Sequence, residues 1–241
     1  MTKKERYEAV INWFSETMPS PTTELEYDSP FHLLLAVILS AQCTDKRVNM
    51  VTPALFEAFP YPEVLADASE EHVYSFIKSV TFPNNKTRHL IRAAKILTEE
   101  FNGEMPSDID NLMKLPGVGR KTANVMLAVV WNRAAMAVDT HVFRVSNRIG
   151  LTTDSKTPLE TEKTLIKYFP EDIIATAHHW LILHGRYVCK ARNPECDNCG
   201  LKQYCKEYPK IKKASDNKKV TDKKKVSNKK KVTGKSNNVK K

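Results

Sequence analysis

The 241-residue sequence is poor in glycine and has no segment in which apolar and polar residues alternate over several positions. Only 7 glycines are present, while 41% of the residues are hydrophobic. Alternation with a period of two is the pattern of half-buried strands, so its absence argues against a β-sheet protein. Apolar residues recur with helical spacing instead, and we therefore predict an all-α fold.

Long apolar segments are also missing. The sequence opens with a charged stretch at residues 2–6 instead of the apolar run of a signal peptide. Its longest apolar run, residues 33–39, is far shorter than the roughly 20 residues that a membrane-spanning helix needs. We expect a soluble, cytoplasmic protein without a membrane partner.

Excess positive charge is absent from most of the chain. The net charge is +10, but residues 206–241 contain 15 lysines and 3 acidic residues, so residues 1–205 have a net charge of −2. Beyond Tyr208 the sequence has no aromatic residue and cannot bury a core. We predict that residues 209–241 form a disordered, Lys-rich tail. This tail is either a solvated extension or a non-specific tether for DNA.

The motif Leu-Pro-Gly-Val-Gly-Arg-Lys-Thr-Ala at residues 115–123 leads directly into an apolar helix. A short helix capped by Ser107 or Asp108 precedes it, so residues 107–131 read as helix, tight hairpin, helix. Gly117 and Gly119 leave no side chain in the way, which lets backbone N–H groups approach an anion closely. The following helix N-terminus favours a phosphate at the same place.

Lys121 falls in the first turn of this second helix. A helix N-terminus and a poorly solvated site both disfavour the ammonium ion, and the neutral amine is a nucleophile. The motif alone permits two interpretations, a surface contact to phosphate and a catalytic nucleophile. It favours the first.

Four of the five cysteines lie in one stretch, with the spacing Cys189-x6-Cys196-x2-Cys199-x5-Cys205. Disulfides are rare inside cells, so this spacing indicates a metal site. Thiolates bind both zinc and a [4Fe–4S] cluster, and the spacing leaves that choice open. Cys43 stands alone and is interpreted as a core residue.

With these features placed, the chain resembles the endonuclease III family of DNA glycosylases over roughly residues 3–208. The segments that carry the resemblance are 29–31, 39–42, 115–123, 137–145, 178–187 and the four-cysteine stretch. The resemblance implies two helical domains: a six-helix barrel at residues 22–132, and residues 1–21 with 133–208 around a [4Fe–4S] cluster on Cys189, Cys196, Cys199 and Cys205. It also implies a monomer that binds double-stranded DNA containing damaged pyrimidines or abasic sites, in association with the nucleoid.

The same resemblance gives Lys121 and Asp139 catalytic roles. Lys121 would attack C1′ of the damaged nucleotide, release the base, and break the strand 3′ to the site by β-elimination. Asp139 would stabilise positive charge on the sugar or help to activate Lys121. Its position also suits a helix N-cap, and the two interpretations are compatible.

DNA contacts are implied at several further positions. Gln42 would fill the gap that the displaced base leaves, and the loop at residues 80–84 would supply an apolar wedge through Val80 and Phe82. The other predicted contacts are Gly117, Gly119, Arg120, His141, Arg144, Lys190 and Arg192.

Two alternatives stay open at this level. The related adenine glycosylases share the hairpin and the cysteine spacing but lack a lysine at the position of Lys121. A non-catalytic iron–sulfur protein that binds DNA or senses redox state would not need both Lys121 and Asp139. We therefore predict an enzyme, a glycosylase with lyase activity.

Overall fold

The computed structural model describes residues 1–214, and this part of the chain contains helices and no strand. The all-α prediction is thus confirmed for these residues. The α-helices are α1 (Lys3–Thr17), α2 (Pro30–Ser40), α3 (Asp45–Ala58), α4 (Pro62–Ala66), α5 (Glu70–Ile77), α6 (Pro83–Phe101), α7 (Ile109–Leu112), α8 (Arg120–Trp131), α9 (Thr140–Ile149), α10 (Pro158–Tyr168) and α11 (Ile174–Tyr187). Short 3₁₀ helices occupy Glu171–Ile173 and Cys196–Asn198.

Local sequence explains where most helices begin. Seven of them start after a Ser, Thr or Asp whose side chain accepts a hydrogen bond from a backbone N–H of the first turn. Proline near the first helical position helps to start α2, α4, α6 and α10. By contrast, α8 follows Gly119 and has no side-chain cap.

The first hydrophobic core surrounds α2. Every residue from Phe31 to Leu39 is buried, as expected for a helix that is apolar on all sides. Side chains from α3 to α8 pack around it. This core places the hairpin and the N-terminus of α8 at the surface of a rigid helical unit.

A second core joins the two ends of the described chain. Val10 and Phe14 of α1 pack with residues of α9, α10 and α11. Two hydrogen bonds add to this contact: Arg6 Nε donates to the Tyr204 carbonyl at 2.9 Å, and Tyr7 Oη donates to the Leu151 carbonyl at 3.1 Å. α1 therefore belongs structurally with residues more than a hundred positions away.

The first residues of the predicted tail lie in a helix. Residues 208–214 are helical, so the prediction of disorder from residue 209 is wrong for residues 209–214. Tyr208 and Ile211 supply apolar side chains that line the cavity between the cysteines, which gives this segment something to pack against. The rest of the predicted tail, residues 215–241, lies outside the described residues.

Candidate functional site

The hairpin between α7 and α8 uses its two glycines differently. Gly117 has a φ of 85°, which strains the backbone of any other residue. A Cβ there would also make tight contacts, at 3.2 Å from both His89 and Ile38. Gly119 has a φ of −92°, and a Cβ there would meet nothing within 4 Å. Of the two glycines that the sequence offers for positive φ, only Gly117 adopts it. Gly119 leaves the N-terminus of α8 open.

Arg120 connects this helix N-terminus to α10. Its Nε lies 3.0 Å and one terminal nitrogen 2.6 Å from Glu162 Oε1. The Glu162 side chain is only 7% exposed, whereas 48% of the Arg120 side chain is exposed. Arg120 thus neutralises a buried carboxylate, a role that the predicted DNA contact did not include.

Lys121 follows in the first turn of α8, and its exposed side chain lines a cavity of about 470 Å³, a volume that includes space open to solvent. The cavity lies between α8, α11 and the segment before α2. Its other polar lining residues include Glu24, Ser40, Asp45, His178, His179 and Arg186. Carboxylates, a guanidinium and a hydroxyl therefore face the same space as the candidate nucleophile.

Arg186 organises the acidic side of this cavity. Its guanidinium pairs with Asp45 Oδ2 at 2.5 Å and also with Glu24, which in turn accepts a hydrogen bond from the Tyr187 hydroxyl. These residues were not among the site residues predicted from the sequence. Asp45 looked like an ordinary first-turn residue of α3, and only Arg186 lay within a segment that carried the family resemblance.

His178 forms part of the cavity wall. It is 1% exposed, and its Nδ1 has no hydrogen-bond partner among the described residues. Burial lowers the pKa of His178 to about 3, and the positive charges of His179 and Lys121 act in the same direction. A neutral imidazole therefore lies beside Lys121 at physiological pH.

Asp139 is the N-cap of α9. Its Oδ1 accepts hydrogen bonds from the backbone N–H groups of His141 and Val142, both at 2.8 Å. Within the described part of the chain, Asp139 does not line the cavity that contains Lys121. The segment that precedes Asp139 contacts the helix that carries Lys121, because Asn124 Nδ2 on α8 donates to the Met136 carbonyl at 3.2 Å. The predicted cap is thus present, and the catalytic role of Asp139 stays a prediction.

The predicted wedge contains one exposed apolar side chain instead of two. Phe82 is 59% exposed, whereas Val80 is 5% exposed and packs in the first core. The Val80 side chain thus lies beneath the loop, and its insertion into DNA stays a prediction. Gln42, the other predicted insertion residue, is exposed and has a φ of 55°.

Arg144, a predicted DNA contact, is occupied by the protein. It donates to the carbonyls of Cys189 and Gly185 at 3.0 and 2.8 Å, and one of its terminal nitrogens lies 3.2 Å from His141 Nδ1. His141 is partly exposed and packs closely on Gly185, where an added Cβ would come within 2.7 Å of its own Cβ. Arg144 therefore fixes the start of the cysteine loop.

The remaining predicted contacts lie on that loop, residues 189–205. Lys190 Nζ pairs with Glu195 Oε1 at 2.5 Å, whereas the side chain of Arg192 is exposed to solvent. Arg192 is consequently the more available cation of the two. The structure does not bring either residue to the cavity that contains Lys121.

The four cysteines of the loop surround a second cavity, of about 370 Å³ including the space open to solvent. Burial raises the pKa of Cys199 to about 11, and it also raises the pKa values of Cys196 and Cys205, with the neighbouring thiolates adding to the effect. Thiolates at this position thus need a compensating positive charge. His184 Nε2 lies 3.6 Å from Cys199 Sγ.

The donor set fits a cluster better than a single ion. Zinc requires its thiolates to converge at about 2.3 Å from one point. In residues 1–214 no three His, Cys, Asp or Glu side chains converge in that way. All four cysteines line one cavity, and four cysteine thiolates are the usual ligands of a [4Fe–4S] cluster.

Comparison with known proteins places this fold and site in a defined class. Residues 35–171 match the model of the HhH-GPD superfamily base excision DNA repair proteins. Residues 189–205 match the iron–sulfur binding domain of endonuclease III.

Individual relatives narrow the class. Endonuclease III of Rickettsia conorii is 49% identical over 203 residues, covering 84% of this chain and 96% of the relative. Endonuclease III of Escherichia coli K12 is 43% identical over 211 residues, covering 88% and 99%. A solved structure described as a trapped endonuclease III–DNA covalent intermediate is 43% identical, with a TM-score of 0.83 and coverage of 88% of this chain and 99% of that one. The chain belongs to the endonuclease III family.

Family membership confirms the cofactor prediction, and the cofactor is a [4Fe–4S] cluster. Cys189, Cys196, Cys199 and Cys205 are the residues present to hold it. None of the helices in residues 1–214 combines the length and hydropathy needed to cross a membrane.

Proposed function

We propose that the chain is a base-excision-repair DNA glycosylase and abasic-site lyase that acts on oxidised pyrimidines in double-stranded DNA. The observation that carries this proposal is Lys121, which lies on the uncapped N-terminus of α8 and faces a cavity with polar walls. A helix N-terminus without a side-chain cap offers backbone N–H groups to the DNA backbone. The lysine beside it is the nucleophile.

In this proposal the damaged nucleotide leaves the base stack, and its base enters the cavity. The walls carry acceptors at Glu24 and Asp45 and a donor at Arg186, so they suit a base edge that presents both kinds of group. The amine of Lys121 forms a bond to C1′ while the N-glycosidic bond breaks, and the base leaves with the electron pair and takes up a proton. Asp139 stabilises the positive charge that develops on the sugar.

The second half of the reaction breaks the DNA strand. Loss of a proton from the Lys121 nitrogen and opening of the sugar ring give an imine at C1′. The imine acidifies the C2′ proton, and its removal expels the 3′ phosphate as the C3′–O bond breaks. Water then hydrolyses the imine and restores the free lysine. The cluster, when bound, cross-links the cysteine loop and takes no part in these steps.

Borohydride trapping tests the role of Lys121. Borohydride reduces the imine to a stable amine, so protein and abasic-site DNA should become covalently linked. We expect Lys121→Ala to abolish the linked product. Lys114→Ala, which replaces an exposed lysine just before the hairpin, is the matched control and should trap as wild type does. Normal trapping by Lys121→Ala would remove Lys121 from its proposed role.

The lesion specificity and the assembly state form part of the same proposal. A panel of duplexes that carry oxidised pyrimidines, with adenine opposite 8-oxoguanine as the competing substrate, separates this activity from that of an adenine glycosylase. We propose that the protein is a monomer and associates with the nucleoid. Sedimentation of the protein with and without DNA measures its assembly state. We propose also that the two hydrophobic cores correspond to the domains at residues 22–132 and at 1–21 with 133–208.

A further inference from the structure

Two exposed turns of this protein have unusual backbone conformations. Gln42, between α2 and α3, has a φ of 55°, and Phe82, between α5 and α6, has a φ of 53°. The left-handed region is sparsely populated by residues other than glycine, and a bulky side chain such as that of Phe82 is rare there. Surrounding contacts must therefore hold both turns in place.

A buried lysine supplies contacts to both turns. Lys86, in the first turns of α6, is 5% exposed. Its ammonium group donates to the carbonyls of Leu39 and Ala41, both at 2.8 Å, and to Thr81 Oγ1 at 3.2 Å. These three bonds use all the donors of an ammonium group. The two carbonyls belong to the C-terminal end of α2, where the helix dipole favours a cation.

Thr81 connects the two turns directly. Its hydroxyl lies 2.9 Å from the carbonyl of Gln42 and donates to it, and the same oxygen accepts from Lys86. Lys86 therefore contacts the residue before Gln42 and the residue before Phe82 at the same time. An apolar side chain would fill this part of the core without the cost of burying a charge, so the ammonium group must serve the turns that it bonds.

We propose that Lys86 is a positioning residue that holds Gln42 and Phe82 as one preformed unit for insertion into the DNA duplex. The inference rests on the proposed function, in which these two residues fill and wedge the gap left by the displaced nucleotide. A unit that is already ordered in the free protein loses no conformational entropy when it enters the DNA. Lys86 touches neither the sugar nor the base, so it acts only through the two turns.

The test compares one abasic nucleotide in two settings. In the first it lies in a fully paired duplex, which the protein must open. In the second it lies inside a non-complementary bubble between duplex arms, where no pairing needs to be broken. Single-turnover strand cleavage is measured on both with Lys86→Met, which keeps the length of the side chain and removes its three bonds. Lys95→Met, at an exposed position of the same helix, controls for loss of one positive charge.

We expect Lys86→Met to slow cleavage of the duplex by about tenfold or more, because the free energy of a charge-assisted hydrogen bond corresponds to a rate change of this size. Cleavage of the bubble should slow by less than about twofold, since no pairing needs to be broken there. Lys95→Met should change neither rate appreciably. Equal losses on the two substrates, or no loss on either, would overturn the inference.

A second variant keeps the test valid if Lys86→Met does not fold. Thr81→Val changes an exposed residue, preserves its shape, and removes only the hydroxyl that links Lys86 to Gln42. We expect the same selective loss on the duplex, smaller at about threefold. Wild-type protein without activity on either substrate would instead overturn the proposed function, so the two failures are distinguishable.

Discussion

Lys86 and Arg148 each hold two stretches of backbone together, but only one of the two regions is complete without a cofactor. Around Lys86, every ammonium donor has an acceptor, and the turns at Gln42 and Phe82 are fixed by protein groups alone. This region is continuous with the first hydrophobic core. It provides the hairpin, Lys121 and the insertion residues in a finished arrangement.

Around Arg148, hydrogen bonds hold the two ends of the cysteine loop. Its guanidinium donates to the carbonyls of Lys190 and Ala191 at 2.7 and 3.0 Å, at the start of the cysteine loop. Its own carbonyl accepts from the Glu207 N–H at 3.0 Å, just after the loop ends. Between these anchors lie Cys196, Cys199 and Cys205, which line one cavity together with Cys189. Burial raises the pKa of each of these three thiols. Hydrogen bonds thus hold both ends of this loop, and a cluster on the four cysteines would cross-link it.

The largest expected effect comes from removing one cluster ligand. Cys199→Ala should lose iron and destabilise the second core on the order of 5 kcal/mol, because a bound metal group contributes its binding free energy to folding. Amide hydrogen exchange should show lost protection in the cysteine loop and α1, with α2 unchanged. Iron content per chain is the second measurement.

Cys43→Ala is the matched control for this substitution, because Cys43 lies outside the loop and packs against the first core. It should keep its iron. An equal loss of protection in α2 and in the cysteine loop would show that the two regions do not differ as described.

The next effect concerns the ion pair that joins the regions. Arg120→Met leaves the buried carboxylate of Glu162 without its partner and should cost about 3 kcal/mol of unfolding free energy. Glu162→Gln leaves Arg120 half exposed to water and should cost only about 1 kcal/mol. Urea denaturation at pH 7 measures both, with the exposed Lys163→Met as control. Equal costs would mean that burial of Glu162 does not control this contact.

A further effect, smaller than that of Arg120→Met, concerns acid and the cavity where α8 meets α11. Burial, His179, Lys121 and Arg186 lower the pKa of His178 to about 3, below the roughly 6.5 of an unfolded chain. Its contribution to stability is therefore complete above about pH 6.5 and is lost as the pH falls toward 3. Between pH 7 and pH 5 this single histidine should cost about 2 kcal/mol.

Urea denaturation at both pH values checks this expectation with His178→Asn, whose acid-induced loss should be smaller by about 2 kcal/mol. The exposed His72→Asn should lose as much stability as the wild type does. If His178→Asn also matched the wild type, the cavity wall would have to admit water.

Local patterns in the sequence predicted much of this structure. Asp108 and Asp139 were predicted as helix caps and cap α7 and α9, because these signals act within one helical turn. The hairpin and the cysteine loop carry family motifs and were equally accessible. The burial of Val80 and the hydrogen bonds of Arg144 to other parts of the protein could not be predicted in this way, since both depend on neighbours that are distant in sequence.

The cavity next to Lys121 illustrates the same limit. Glu24, Asp45 and Arg186 come from three separate segments, and none has a pattern that distinguishes it from a surface charge. In the sequence, Lys86 is likewise an ordinary basic residue of an amphipathic helix. Only the structure shows that it lies beneath two turns and donates hydrogen bonds to both. Convergence of distant side chains requires the packed structure.

The pairing of α1 with the second core has a consequence for how the protein is made. Arg6 and Tyr204 are 198 positions apart, so their hydrogen bond forms only after nearly all the described residues have left the ribosome. All buried members of the first core except Ala175 come from residues 25–137, so most of this core can form during synthesis. Val10 and Phe14, however, stay uncovered until α9, α10 and α11 have emerged. Newly made chains therefore pass through a stage in which α1 exposes apolar surface that the folded protein buries.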